Sequence, residues 1–370
     1  MQLLTLYKLT LFILLLSLVH PLSAASVNGS KLTSHFYRNK VSAVFAFGDS
    51  VLDPGNNNQL NTSAVRGNHL PYGRDLPHHP ASGRFTNGKL FSDFLVSDLG
   101  LKDLLQAFLD PKVTDRELLT GVSFASGGSG YDLATKSNVM NMNKQLDYFR
   151  EALGRIRKTV GFFRADYLVN NALFLIVAGT NDMTLSFYDL QTRRSQFNVS
   201  SYQKFLLHNM ESTVQRLYTL GARKIAIGGL PPIGCLPLQV TIGSFIPSLH
   251  LFQRLCVEQQ NLDAQAYNEK LQAVIYRLQG LPGSRIAYID LFTPLIDMVH
   301  RPLKYGFNKD STKGCCGTGI IEIGDQCTSK VPTCRDASKY VFFDAIHPTQ
   351  ATYRVLANTF ETNVLPRLFN

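Results

Sequence analysis

Short apolar runs alternate with longer stretches of helical period along this chain, and that alternation restricts the fold more than any single motif. The runs Ala43–Phe47, Gly121–Ala125, Ala172–Ala178, Lys224–Gly228 and Arg285–Ile289 are nearly continuous in apolar character. Strands covered on both faces read this way, because neither side meets water. Between them, GKLFSDFLVSDLG places Leu90, Phe94, Leu95 and Leu99 on one helical face. SSYQKFLLHNMESTVQRLYTLGA repeats the pattern at Leu206, Met210, Val214, Leu217 and Tyr218, ahead of a terminating glycine, Gly221. CVEQQNLDAQAYNEKLQAVIYRLQG supplies Leu262, Ala266, Leu271, Ile275 and Leu278, and a last helix is expected to begin at a Thr349 cap. Strand–helix alternation predicts βαβ units, right-handed crossovers and a parallel sheet of about five strands. The expected architecture is one doubly wound, three-layer α/β/α domain over residues 25–370, with no linker. The stretches 56–84 and 304–335 lack periodicity, are rich in Gly, Pro, Asn or Cys, and are expected to be long loops.

The start of the chain reads differently. Lys8 precedes an apolar run from Leu9 to Val19, and HPLSAAS then supplies small residues at Ser23, Ala24 and Ala25. A charged start, a short apolar run and a small-residue exit mark a secretory signal peptide, so residues 1–24 are expected to be removed. The run is shorter than the roughly 20 residues of a membrane span, and no later stretch is long enough to supply one. Six cysteines follow: Cys235, Cys256, Cys315, Cys316, Cys327 and Cys334. An even count in a secreted chain favours disulfides. Cys235 with Cys256 closes a plausible loop; the other four lie close together and are expected to staple one insertion, with their pairing open. The adjacent pair Cys315-Cys316 does not match the spacing of structural zinc sites, and no metal is expected. The formal net charge is +10, but the basic residues are scattered rather than clustered. No nucleic-acid partner is expected on that pattern. Asn28, Asn61 and Asn198 each open an N-x-[ST] sequon and are possible glycan sites.

The stretch VFAFGDSVLDPGNNN puts Ser50 just past the end of the first predicted strand. Ligands of open parallel sheets bind at the carboxyl ends of the strands. A nucleophilic serine there needs a base, and the base needs an orienting group. Among nine histidines, His347 stands apart, in VFFDAIHPTQAT. Pro348 pushes it out of the helical region and onto a loop. Asp344, three residues back, can reach Nδ1 through a turn and leave Nε2 free to take a serine proton. Acyl transfer also needs donors for an oxyanion. SFASGGSGYD offers the N–H groups of Gly127 and Gly128, VAGTND offers the Asn181 amide, and Ser50 offers its own N–H. No G-x-x-x-x-G-K-[ST] phosphate loop occurs, and the pentad Gly48-Asp49-Ser50-Val51-Leu52 is not the G-x-S-x-G elbow. Asp49 is expected to order the loop and Asp53 to cap the turn.

The blocks FGDSVLDPGNNN, GVSFASGGSGYD, VAGTND, GLPPIGCLP and FFDAIHPT, in that order, resemble the plant GDSL esterase/lipases of the SGNH hydrolase superfamily. GRFTNGK, CVEQQNLDAQAYNEKL and KGCCGTG are similar to the plant branch, and the resemblance covers essentially the whole chain after the signal peptide. It implies a flavodoxin-like SGNH hydrolase fold and ester hydrolysis. It implies Ser50 as nucleophile, His347 as general base and acid, and Asp344 as its orienter. It also implies an oxyanion hole of the Ser50 N–H, Gly128 and Asn181, with Gly128 aligning better than Gly127. Val51 replaces the leucine of the name-giving motif, and Ser123 stands where many relatives carry asparagine. The reading needs no metal or organic cofactor. The expected partner is a small-molecule, lipid or polymer ester, the expected state a monomer, and the expected location extracellular, in the cell wall or apoplast. Acyl chain length stays open, as do acyl transfer to an alcohol and a non-catalytic binding role.

Overall fold

The computed structural model describes residues 36–63, 65–78, 81–244 and 254–370; the expected signal peptide and Asn28 lie outside the described residues. Four strands form one parallel sheet: β1 Val44–Gly48, β2 Leu173–Val177, β3 Lys224–Gly228 and β4 Arg285–Ile289, in that spatial order. The expected run 121–125 is not a continuous strand, yet it lies parallel beside β1. Ala46 bridges Ser123, and the N–H groups of Ala46 and Phe124 bond Val122 O at 3.2 Å and Ala46 O at 2.7 Å. On its far side Ser123 bridges Ala107, with the Ser123 N–H on Gln106 O and the Phe108 N–H on Ser123 O, each at 2.9 Å. Counting that ribbon, the sheet is five wide and its order reverses at β1.

Six principal helices are α1 Phe91–Asp98, α2 Met142–Val160, α3 Val199–Thr219, α4 Glu258–Leu278, α5 Phe292–His300 and α6 Gln350–Asn363. Every residue of β1 and β2 is buried, so helices cover both faces of the sheet. Helices α2, α3 and α4 lie side by side in one layer, and α1 and α6 pack on each other in the other. Phe45 and Phe47 share one side of β1, and both rings meet Phe149 of α2, at 5.2 and 5.7 Å between centroids. Phe91 meets Phe360 edge-on at 5.5 Å between α1 and α6.

The helix ends follow the sequence signals. Thr349 accepts from the Thr352 N–H at 3.3 Å at the start of α6, and Asn198 accepts from Ser201 N at 2.9 Å at the start of α3. Gly221 ends α3 with φ +105°. Of the expected buried face of α4, Leu271, Ile275 and Leu278 are buried, but its first turns face otherwise. Leu262 is exposed, while Asn261 and Asn268 turn inward with Tyr267 and Leu271. The two amides are claimed by the chain beyond β3. Asn268 bonds both backbone groups of Leu230, at 2.7 and 2.9 Å, and Asn261 accepts from Gly234 N at 2.9 Å.

All six cysteines are paired, as Cys235–Cys256, Cys315–Cys334 and Cys316–Cys327. The last two brace the 304–335 loop internally. The braced loop then lies against the segment before Asp344, with Cys315 N on Phe342 O at 3.1 Å and Cys316 N on Phe343 O at 2.8 Å. A buried ion pair performs a similar service for the 56–84 loop. Arg84 bonds both carboxylate oxygens of Asp93, at 2.8 and 2.9 Å, and Asp93 also accepts from Leu90 N and Leu105 N at 2.8 Å each. A buried pair is tolerable when its remaining bonding capacity is filled in this way.

Glu361 on α6 is buried, and its carboxyl lies beside that of Asp98. Burial, reinforced by the Asp98 carboxylate, pushes its pKa up to about 9. An unfolded glutamate titrates near 4.5. Between those values the folded chain holds a proton that the unfolded chain has lost, so stability falls as pH rises through that window. Glu361→Gln is expected to remove this loss. Its melting temperature should exceed the wild-type value at pH 8 by on the order of 5 °C, with a much smaller gap at pH 5. Equal gaps at the two pH values in thermal denaturation would contradict the assignment.

Candidate active site

Strand β1 ends in a constriction that only glycine fits. Gly48 has φ +130°, and a Cβ there would sit 1.8 Å from Val177 O of β2. Its two backbone groups are held by the buried Gln145 amide of α2, the N–H at 2.8 Å and the carbonyl at 2.9 Å. The next N–H, of Asp49, still bonds Val177 O at 3.1 Å. The chain then turns, with Leu52 N on Asp49 O at 3.1 Å and Val51 N on the Asp49 carboxylate at 3.0 Å. Asp49 orders the loop, as expected, and the turn presents Ser50 at the carboxyl end of the sheet.

His347 reaches Ser50 from the other end of the chain. Its Nε2 lies 2.8 Å from Ser50 Oγ and its Nδ1 lies 2.6 Å from Asp344 Oδ2. A carboxylate only accepts, so Nδ1 carries the proton and Nε2 presents a lone pair to the serine hydroxyl. Asp344 is fully buried and saturated with donors. Its Oδ1 takes the N–H groups of Ile346 at 2.8 Å and His347 at 2.6 Å, while Oδ2 also takes the Tyr72 hydroxyl at 2.7 Å. Burial and the Asp344 charge push the Tyr72 phenol well above its ordinary pKa, so it stays a donor. Tyr72 in turn accepts from Gly324 N at 2.8 Å, which ties the disulfide-braced loop to the carboxylate.

The GRFTNGK block, which carried only a resemblance in the sequence, clamps the histidine loop. Phe85 stacks on the His347 ring at 5.1 Å. Thr86 Oγ1 donates to Pro348 O at 2.9 Å, and Asn87 Oδ1 accepts from Gln350 N at 2.9 Å. Tyr72, Phe85 and Gln145 were not legible as site residues. Each acts through a contact made across tens to hundreds of residues, and none sits in a motif with its own chemistry.

The remaining predicted donors sort unevenly. Asp53 caps its turn, accepting from Gly55 N and Asn56 N, and also takes the Gly127 N–H at 2.9 Å. That bond occupies Gly127, whereas the N–H of Gly128 makes no hydrogen bond among the described residues. Asn181 donates one amide hydrogen to Ser129 O at 2.8 Å and retains the other. Ser50, His347 and Asn181 line one narrow cleft of about 50 Å³; Gly128 is not among its lining residues. Most of the wall is apolar, including Val177, Leu236, Leu291, Leu295 and Leu356. Asp49 also lines it, and burial pushes this carboxyl up to about 7. The Asn run after Ser50 fixes the facing loop. Asn56 Nδ2 donates to Ser123 O and Ala125 O, each at 2.8 Å, and Asn57 Nδ2 donates to Gly127 O at 2.9 Å. Asp182 gathers Tyr131 N, Asp132 N and the Thr135 hydroxyl at 2.8, 3.0 and 2.5 Å, holding the GGSGYD turn. A hydroxyl, an imidazole and a carboxylate in series beside an apolar cleft are equipped to attack a carbonyl carbon.

Known proteins are similar to this chain along most of its length. The family model described as GDSL-like Lipase/Acylhydrolase matches residues 44–360. Three GDSL esterase/lipases of Arabidopsis thaliana are similar to this chain. One is 48% identical, covering 89% of this chain and 91% of the relative. A second is 44% identical over 87% and 88%, and a third 42% identical over 87% and 89%. With the family matched from β1 into α6, and a parallel α/β fold that ends its first strand at Ser50, the chain belongs to the GDSL-like lipase/acylhydrolase family.

Proposed function

We propose that this protein is a secreted serine esterase that hydrolyses carboxylic esters through an acyl-enzyme on Ser50. The continuous chain Ser50 Oγ, His347 Nε2, His347 Nδ1, Asp344 Oδ2 carries the reading. Ser50 Oγ attacks the ester carbonyl carbon while His347 Nε2 takes the hydroxyl proton. The tetrahedral intermediate collapses by breaking the bond to the alkoxy oxygen, and Nε2 returns the proton to that oxygen as the alcohol leaves. Water repeats the sequence: its proton passes to Nε2, its oxygen bonds the acyl carbon, and Ser50 Oγ recovers the proton as the acid departs. Asp344 holds the tautomer and offsets the charge on the imidazolium. The Ser50 N–H, the Gly128 N–H and the Asn181 amide are the proposed donors to the oxyanion, Gly128 being preferred over Gly127 because the Gly127 N–H is held by Asp53. This machinery requires no metal or organic cofactor.

Secretion is supported by the signal-like start, by three disulfides and by the exposure of Asn61 and Asn198 as glycan acceptors. Asn198 caps α3 through Oδ1, which leaves Nδ2 available for a glycan. Among the described residues, no helix is long and apolar enough to cross a membrane.

Three variants test the mechanism on p-nitrophenyl acetate. Ser50→Ala is expected to lower kcat by about 10⁴-fold or more; full turnover by the folded variant would sink the nucleophile assignment. Asn181→Ala should lower kcat by about 10²- to 10³-fold with KM little changed, as for the loss of one oxyanion donor. A rise in KM alone would show that Asn181 only binds substrate. Tyr72→Phe removes one donor from the buried Asp344 carboxylate. It should cut kcat by about 10- to 100-fold, the worth of one hydrogen bond to a charged group. The acidic limb of the kcat/KM profile should shift as well, and an unmoved profile would make Tyr72 merely structural.

A further inference from the structure

The cleft at Ser50 and a larger surface groove share one lining residue. The groove, about 540 Å³, is lined by polar residues such as Glu269, Asp290 and Arg367 beside the edge strand β4, well outside the triad. Among the described residues, Leu356 of α6 alone lines both this groove and the cleft. Leu356 is 6% exposed, packed between the two spaces. The cleft is lined by Ser50 together with Leu291, Leu295, Tyr353 and Leu356.

Its size limits what it can hold. The cleft offers about 50 Å³. A water needs roughly 10–15 Å³ of such space, so the cleft seats about four groups of that size. Its apolar wall suits hydrocarbon. Of the two halves of an ester, the acyl half stays bonded to Ser50 through the second step, while the alcohol has to leave. A small apolar slot fits the half that stays. Resting on the serine-esterase reading above, we infer that this slot takes an acyl group of about two to four carbons, and that Leu356 is the stop that sets this length. Removing the Leu356 side chain would join the slot to the polar groove and let a longer chain pass through.

The test uses the purified protein and p-nitrophenyl acetate, butanoate and octanoate. In the wild type, kcat/KM for octanoate should fall at least ~10-fold below butanoate, in line with the cost of surplus methylenes in a closed pocket. Leu356→Ala should raise the octanoate-to-butanoate ratio by ~10-fold or more. Leu356→Val should raise it less, and serves as the readout if the alanine variant does not fold. A wild-type optimum at octanoate, or a ratio unmoved in the folded variants, overturns the stop. Length dependence that appears with alkyl acetates of graded alcohols, and not with the acyl series, overturns the acyl assignment. Absence of Ser50-dependent hydrolysis for every ester, acetate included, overturns the underlying esterase reading instead, and with it the assignment of the slot.

Discussion

The close parallel pairing of β1 with β2 is the constraint on which the site depends. Gly48 lies against Val177 with no room for a side chain, and the same carbonyl takes the Asp49 N–H. That contact sets where β1 ends and therefore where Ser50 turns out of the sheet. It also fixes the end of β2, from which Asn181 follows a few residues later. Because the order of the sheet reverses at β1, the chain leaves these two strand ends toward opposite layers, and a crevice opens between them. The C-terminal loop brings His347 into that crevice.

Around it, backbone order comes from side chains rather than from regular structure. The loops at the carboxyl ends of the strands cannot satisfy their own N–H groups through a ladder, and burial forbids leaving them bare. Buried carboxylates and amides take the role. Asp53, Asp182, Asp93 and Asp344 each collect two or more backbone N–H groups, while Asn56, Asn57 and Gln145 bind carbonyls. Desolvation is the cost. Burial pushes Asp53 and Asp182 up to about 6 and Asp49 to about 7, against the backbone bonds that hold all three down.

The disulfide-braced loop belongs to the same logic. A loop of that length has few apolar side chains to anchor it, and the two crosslinks limit its freedom before it docks. Once docked, its Gly324 N–H holds Tyr72, and Tyr72 holds Asp344. The orientation of the histidine thus rests on a chain of contacts that begins far from the reacting atoms.

Much of this was written in local patterns. Continuous apolar runs marked β1 through β4, because strands covered on both faces need apolar residues throughout. Ser50, Asp344, His347 and Asn181 were legible because a strand end, a histidine before proline and a glycine-rich turn each carry their own chemistry at short range. The same local reading placed the α4 face wrongly at Leu262, since it could not know that Asn261 and Asn268 would be claimed by the chain beyond β3. It likewise made a full strand of 121–125, where only Ser123 forms bridges, one to Ala46 and one to Ala107. The cysteine pairing, the Tyr72–Asp344 bond, the Phe85 ring over His347 and the position of Leu356 between two cavities belonged to tertiary structure alone. The sequence by itself determined the layered α/β plan and the candidate triad, through periodicity and residue chemistry. Only packing decided what holds the triad in place and what lines the cleft beside it, because those depend on which distant surfaces meet, and no local pattern encodes a meeting.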